Sequence, residues 1–231
     1  MIQNLLYALI DLLFPPSCVV CHHSLKQQEQ YICMHCLCKL PYTRLSLSEP
    51  NPADQKFWGL CSIEKVFALI YYEKGSPFNH LIHALKYKNQ AKIGLILGSL
   101  IAQNLPSSFF STIDEIIPLP IHPEKQKIRG YNQAEWIAKG IQQKTSLPIR
   151  TDRVYKVIHN SSQTDKGVYE RRVNVQNVYQ AAQSIGELEN KHVLLVDDVL
   201  TTGATLCSCC ETLQQAVLVK ISILTFALAR D

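Results

Sequence analysis

Residues His192 to Leu206 read HVLLVDDVLTTGATL. The apolar run Val193 to Val196, with Val199 just beyond, brackets two adjacent carboxylates, Asp197 and Asp198. Thr201-Thr202-Gly203-Ala204-Thr205 follows, and then a run with helical character. The order of parts is a buried strand, an acidic strand end, a tight hydroxyl-rich loop and a helix N-terminus. In an open α/β sheet, ligands bind outside the carboxyl ends of the strands. A helix N-terminus presents unpaired N–H groups and the positive end of the helix dipole, which suit a phosphate. The stretch therefore predicts one ligand that carries a phosphate and a polar face of another kind.

Two aspartates are wrong for a purely phosphate ligand, because carboxylates repel phosphates. They fit a ligand with hydroxyl donors and a divalent cation. A ribose diol supplies the donors, and Mg2+ is a hard ion that favours carboxylate, water and substrate oxygens. A ribose 5-phosphate satisfies both halves, with hydroxyls on Asp197 and Asp198 and phosphate on Thr201, Thr202, Gly203, Ala204 and Thr205. Hydrophobic strand, DD and TTGAT together resemble the phosphoribosyl pyrophosphate (PRPP) motif of type I phosphoribosyltransferases. The competing reading is an ordinary strand–loop–helix unit with a capping Asp and Thr.

Working outward, apolar strand-like runs alternate with amphipathic ones. Lys65–Tyr72 (KVFALIYY), Asp114–Pro120 (DEIIPLP), Arg153–Ile158 and Val217–Leu228 read as further strands. Residues 77–88, 91–104 and 202–215 read as helices, and Tyr131, Ala134, Ile137, Ala138 and Ile141 mark one more helix face. Strands alternating with helices predict an α/β fold with a doubly wound parallel sheet. Between them, His122–Gln133 (HPEKQKIRGYNQ) reads as a polar loop, and residues 159–176 as a basic, mobile one. PRPP would carry most of its charge on the pyrophosphate, and the loop leaving DEIIPLP is the natural place for it. That loop holds Lys125, Lys127, Arg129 and Gly130. Arg129 is the best single candidate, because a guanidinium pairs bidentately with phosphate and Gly130 allows close backbone approach. In the second loop, Lys166, Arg171 and Arg172 are placed to close over the pyrophosphate as a lid.

The nine cysteines are an odd number, which argues against a closed disulfide framework. Cys18, Cys21, Cys33 and Cys36 follow a C-x2-C-x11-C-x2-C spacing, which is a metal-ligand pattern. Four thiolates close a tetrahedral shell around Zn2+ and leave no place for a water, so the role is structural. His22, His23, His35 and Cys38 lie close enough in sequence to replace a ligand. Cys61, Cys207, Cys209 and Cys210 read as packed thiols. A Ser/Pro-rich stretch, Pro41 to Asn51, reads as a linker. It divides the chain into residues 1–50, an N-terminal helix plus a four-cysteine zinc finger, and residues 51–231, the larger domain.

A chain of 231 residues at net charge +4 and pI 8.5 accommodates one ordinary domain and a small one. The charge is compatible with phosphate or nucleic-acid ligands without selecting either. The opening MIQNLLYALIDLLF is too short to span a bilayer, lacks a basic n-region and places Ile2, Leu5, Leu6, Leu9 and Leu13 on one helical face. It reads as an amphipathic helix docked on the body, with no transmembrane segment and a cytoplasmic location.

Taken together, LFPPSCVVC, LKYK (Leu85–Lys88), IPLPIHPEKQKIRGYNQAE (Ile117–Glu135), SQTDKGVYERRVNV (Ser162–Val175) and VDDVLTTGATL (Val196–Leu206) resemble the ComF-type family. The likeness runs through nearly the whole chain in the same order. It departs at His22-His23, where many relatives have glycine. The resemblance implies a zinc finger joined to a phosphoribosyltransferase fold. It also implies PRPP binding by Asp197, Asp198 and Thr201 to Thr205, metal ligation by Cys18, Cys21, Cys33 and Cys36, and a role in DNA uptake and natural transformation. One alternative is a metabolic phosphoribosyltransferase, base-specific or amidophosphoribosyltransferase-like, that releases pyrophosphate. The chain shows no N-terminal catalytic cysteine and no room for a glutamine amidotransferase domain. Another alternative is direct binding of DNA, but Cys18 to Cys38 holds only Lys26 as a basic anchor.

Overall fold

The computed structural model describes residues 15–87, 90–157 and 178–230. The expected N-terminal helix and the lid candidates Lys166, Arg171 and Arg172 lie outside them. In chain order the elements are α1 (Met34–Cys38), α2 (Pro52–Gln55), β1 (Lys65–Tyr72), α3 (Asn79–Tyr87), α4 (Ile93–Gln103), α5 (Ser107–Phe110) and β2 (Glu115–Pro118). They continue with α6 (Pro123–Arg129), α7 (Gln133–Thr145), β3 (Val154–Lys156), β4 (Tyr179–Ala181), a 3-10 turn (Gln183–Leu188), β5 (His192–Leu200), α8 (Ala204–Ala216) and β6 (Lys220–Ala229).

Apolar runs without polar alternation become strands buried on both faces, as parallel sheets require. Four of them form one parallel sheet in the order β1-β6-β5-β2. On β5, Leu194 and Val196 point into one apolar cluster with Phe67, Leu69, Leu224 and Phe226. Helices α3, α4 and α7 close that face through residues such as Leu85, Leu97 and Ile137. Val193 and Leu195 point to the other face, with Val66, Ile221 and Ile223, under Leu206 and Leu213 of α8. Each fully buried aliphatic side chain of this kind contributes about 1.5–3 kcal/mol. This is the expected doubly wound sheet. Among the described residues, no helix is long and apolar enough to cross a membrane.

Three segments differ from the sequence expectation. The polar loop His122–Gln133 contains a helix, α6, because Pro123 sits at its first position and Gly130 ends it at φ 80°. The expected linker is partly built into the fold: Tyr71 N–H donates to Pro41 O at 2.8 Å and Thr43 N–H to Leu69 O at 2.9 Å. Those bonds occupy backbone groups that the edge strand β1 would otherwise leave open. β4 pairs antiparallel with β3 as a separate ribbon, an element with no clear sequence period. Buried Arg153 at the foot of that ribbon ties it to the sheet. Its Nε lies 2.9 Å from Glu115 Oε1 on β2, its Nη2 lies 2.7 Å from Glu187 Oε2, and its Nη1 donates to Ser184 O.

Helices α4 and α7 approach at glycines. A Cβ on Gly94 would lie 2.6 Å from Trp136 Cβ, one on Gly98 would collide with Ile137 O, and one on Gly140 with Leu95 O. Backbone on backbone cannot yield as a side-chain tip can. Gly98→Ala should therefore destabilise the protein by about 1–3 kcal/mol in urea unfolding. Gly186→Ala, where a Cβ meets nothing within 4 Å, should leave the midpoint unchanged within error.

Candidate functional site

The two aspartates lie within β5, near its carboxyl end, and not beyond it. Alternation along the strand sends them to opposite faces. Asp198 follows Leu194 and Val196 toward α3 and is 6% exposed. Its Oδ2 lies 2.8 Å from Lys86 Nζ, near the end of α3. Asp197 emerges on the α8 side, half-buried, and its Oδ1 accepts the Asp198 N–H at 2.8 Å. Lys156, Tyr179 and Cys209 are within its electrostatic reach.

Burial, reinforced by the Asp198 charge, pushes the Asp197 carboxyl up to about 7; the Asp198 N–H, Lys86 and Lys156 pull the other way. Burial also works against the Lys86 ammonium, but Asp198 and Asp197 outweigh it and hold its pKa above the ordinary value. Lys156 is shifted down by burial and by Lys125, and burial shifts Tyr179 up. Lys86 and Lys156 are site residues that the motif reading passed over. The signal for Lys86 was present: it is the first lysine of LKYK, directly after the buried Leu85 of an amphipathic helix.

Beyond β5, Thr201 and Thr202 are exposed, Gly203 is buried, and Ala204 and Thr205 are exposed on the first turn of α8. Gly203 adopts φ 79°, a left-handed conformation that favours glycine. A Cβ there would lie 3.2 Å from Lys56 O and 3.4 Å from Phe57 Cε1, so the segment after α2 braces the turn from behind. Gly203 supplies no capping side chain, and Thr202 Oγ1 accepts the Ala204 N–H at 3.4 Å, beside the other first-turn N–H groups of this 13-residue helix. Such a turn can take an anion.

The remaining basic candidates are distributed. Arg129 Nη1 donates to Gln133 Oε1 at 2.7 Å, its guanidinium lies 5.6 Å from the Tyr87 ring centre, and its charge acts on Lys86. It thus stands near Lys86 at the end of α3. Gly130 donates its N–H to Gln126 O at 2.7 Å, so its positive φ serves the end of α6 and its amide is already used. Lys125 acts on Lys156. The rest of the RGYNQ motif is structural: Tyr131 Oη donates to Leu85 O at 2.6 Å, and Asn132 caps α7 while donating to Leu119 O. A cavity of about 290 Å³ opens beside the end of β2, between Pro120, Gln126, Tyr155 and Lys156.

Cys18, Cys21, Cys33 and Cys36 come together with all four sulfurs within 4.8 Å of one another. They are the one metal-type group among the described residues. A tetrahedral four-sulfur site with bonds of about 2.3 Å needs sulfurs about 3.8 Å apart; Cys21 Sγ and Cys33 Sγ are 3.7 Å apart. The donor set fits a metal ion. Burial opposes the Cys18 thiolate, but N–H groups of Cys33, Cys21 and Val20 outweigh it and bring Cys18 down to about 7. His22, His23, His35 and Cys38 are exposed and outside the cluster. The His22 ring instead packs 5.6 Å from that of His80 on α3. Buried Cys18, Cys33 and Cys36 share one apolar cluster with Leu69 and Leu81 of the sheet body.

Residues 137–230 match the phosphoribosyl transferase domain family. Over 134 residues the chain is 33% identical to competence protein F of Haemophilus influenzae, covering 56% of this chain and 58% of that protein. It is 23% identical over 141 residues to the DNA utilization protein YhgH of Escherichia coli, 59% of this chain and 61% of the other. It is 27% identical over 108 residues to competence protein ComFC of Bacillus subtilis, 43% and 41% of the two chains. In each case the chain spans less than two thirds of the relative's length.

The purified protein should carry one equivalent of a thiophilic metal ion, read by elemental analysis. Cys33→Ser should lose it. Because Cys33 is buried in the main apolar cluster, the loss should also lower the thermal midpoint of the whole chain.

Proposed function

We propose that the chain is a ComF-type protein of phosphoribosyltransferase fold that binds PRPP and acts in DNA uptake and natural transformation. One observation carries this reading. The exposed Thr201–Thr205 turn stands at the open N-terminus of α8, directly after the carboxylates of β5. The turn takes the 5-phosphate on N–H groups and threonine hydroxyls. Asp197 accepts the ribose hydroxyls from the strand end, and Asp198 positions it through their shared hydrogen bond. Arg129, beside Tyr87, faces the diphosphate, with Lys166, Arg171 and Arg172 of the 159–176 segment as its cover. Gly130 contributes the shape of the α6 end. Mg2+, when bound, supplies charge neutralisation for the diphosphate.

The four cysteines would hold Zn2+, whose closed thiolate shell serves structure. Residues 1–50 form the finger unit and 51–231 the ligand-binding unit, in a cytoplasmic protein. The relatives named for competence and DNA utilization support the pathway. A chain whose ligand turn is intact, but whose described residues include no recognisable hood over a base, favours binding over turnover of a common base.

Calorimetry with PRPP and Mg2+ should show binding to the unaltered protein. A charged hydrogen bond contributes roughly 1.5–3 kcal/mol, so losing two of them in Asp197→Ala should weaken binding by about 100-fold or more. A deletion strain should lose natural transformation and grow without added purines, pyrimidines or amino acids. Unchanged affinity in Asp197→Ala would place the ligand elsewhere. Auxotrophy, or rapid pyrophosphate release with one free base, would make the protein a metabolic transferase.

A further inference from the structure

The acidic pair is already surrounded by cations of the chain itself. Lys86 Nζ sits 2.8 Å from Asp198 Oδ2. Arg129 acts on Lys86, and Lys156 acts on Asp197. Lys86 thus meets one carboxylate and Lys156 acts on the other, and an added dication would enter a site that is balanced before it arrives. Lys86 is also held in place. Leu81, Ile82, Ala84 and Leu85 of its helix are buried, the Tyr131 hydroxyl donates to the Leu85 carbonyl, and His80 at the other end packs on His22. Its ammonium is thus delivered from a helix docked at both ends.

We propose that Lys86 is the resident cation of this site: its ammonium holds Asp198 in the place a divalent ion would take, so the acidic pair binds no free divalent cation and Asp197 alone is left for the ligand. Lys86 is a positioning residue in this scheme. It acts through the Asp198 carboxylate, while the backbone N–H of the same residue orients the Asp197 carboxylate. The inference deepens the PRPP reading, because the ligand's Mg2+ must then travel on its diphosphate and not wait on the protein.

The test uses Mn2+ alone, followed by electron paramagnetic resonance on the full chain without PRPP, so its outcome does not depend on whether PRPP binds. Unaltered protein should take up no more Mn2+ than Asp198→Asn. Lys86→Met and Lys86→Gln should each gain one Mn2+, bound tighter than in the unaltered protein by about tenfold or more. The double variant K86M/D198N should lose that ion again, and Lys86→Arg, which keeps the charge, should gain none. A lysine that merely packs would produce no new metal site when replaced. Mn2+ binding by the unaltered chain that Asp198→Asn abolishes overturns the proposal. So does the absence of any gain in both neutral variants once circular dichroism shows them folded. Should both neutral variants unfold, the comparison of unaltered protein with Asp198→Asn and Lys86→Arg decides it in the same two directions. A separate PRPP titration of the unaltered protein judges the ligand reading: no PRPP binding there leaves the Mn2+ result standing and removes only the ligand.

Discussion

Strand β5 is apolar on both faces from Val193 to Val196 and then carries two consecutive carboxylates, and the side-chain period of two decides where each of them goes. Asp198 must leave the sheet on the side of α3, under which it is buried against Lys86. Asp197 must leave on the side of α8 and the β3–β4 ribbon. The site is therefore not a symmetric pair of ligands but one buried carboxylate with a dedicated cation and one half-buried carboxylate beside it. A register slip of one residue would exchange these roles and expose the apolar set. Pairing with β6 on one edge and β2 on the other holds the register, as with Val196 opposite Leu224 and Pro118.

Everything around that strand keeps those two positions in place. On the α3 side, α4 and α7 pack backbone to backbone through Gly94, Gly98 and Gly140, and α7 begins at Asn132, which also holds Leu119 just past β2. Tyr131 clamps the end of α3 one residue before Lys86. On the other side, Arg153 binds the β3–β4 ribbon to Glu115, with both groups buried. A buried pair of this kind is weak evidence for net stability; here it sets where the ribbon, and with it Lys156 and Tyr179, stands against Asp197. The cysteine cluster belongs to the same frame, since its buried sulfur-bearing residues and those of α3 lie in one apolar cluster.

The parallel sheet, the turn at Thr201–Thr205 and the four clustered cysteines were legible because each is a local pattern with one physical solution. Long apolar runs must be buried on both faces, a left-handed position calls for glycine, and paired C-x-x-C knuckles converge. The α6 helix was also written locally, in Pro123 and Gly130, but its polar composition concealed it, since an exposed helix of this length buries no residue and shows no apolar stripe. Within the RGYNQ motif, Tyr131 and Asn132 hold helices together through backbone groups far away in the chain, which no local pattern shows.

By itself, the amino-acid sequence determined the strands of the parallel sheet, the left-handed turn at Gly203 and which cysteines meet, because those depend on neighbours within a few residues or on repeated spacing. Only the tertiary structure decided that Lys86 neutralises Asp198, that Arg129 lies over Tyr87 near Lys86, that Lys156 and Tyr179 border Asp197, and that the cysteine cluster shares the core of the sheet. Lys86 and Asp198 are more than a hundred residues apart in the chain, and no local pattern in either stretch specifies the other. Their pairing exists because β5 is central in the sheet and α3 crosses the face to which the strand's alternation turns Asp198.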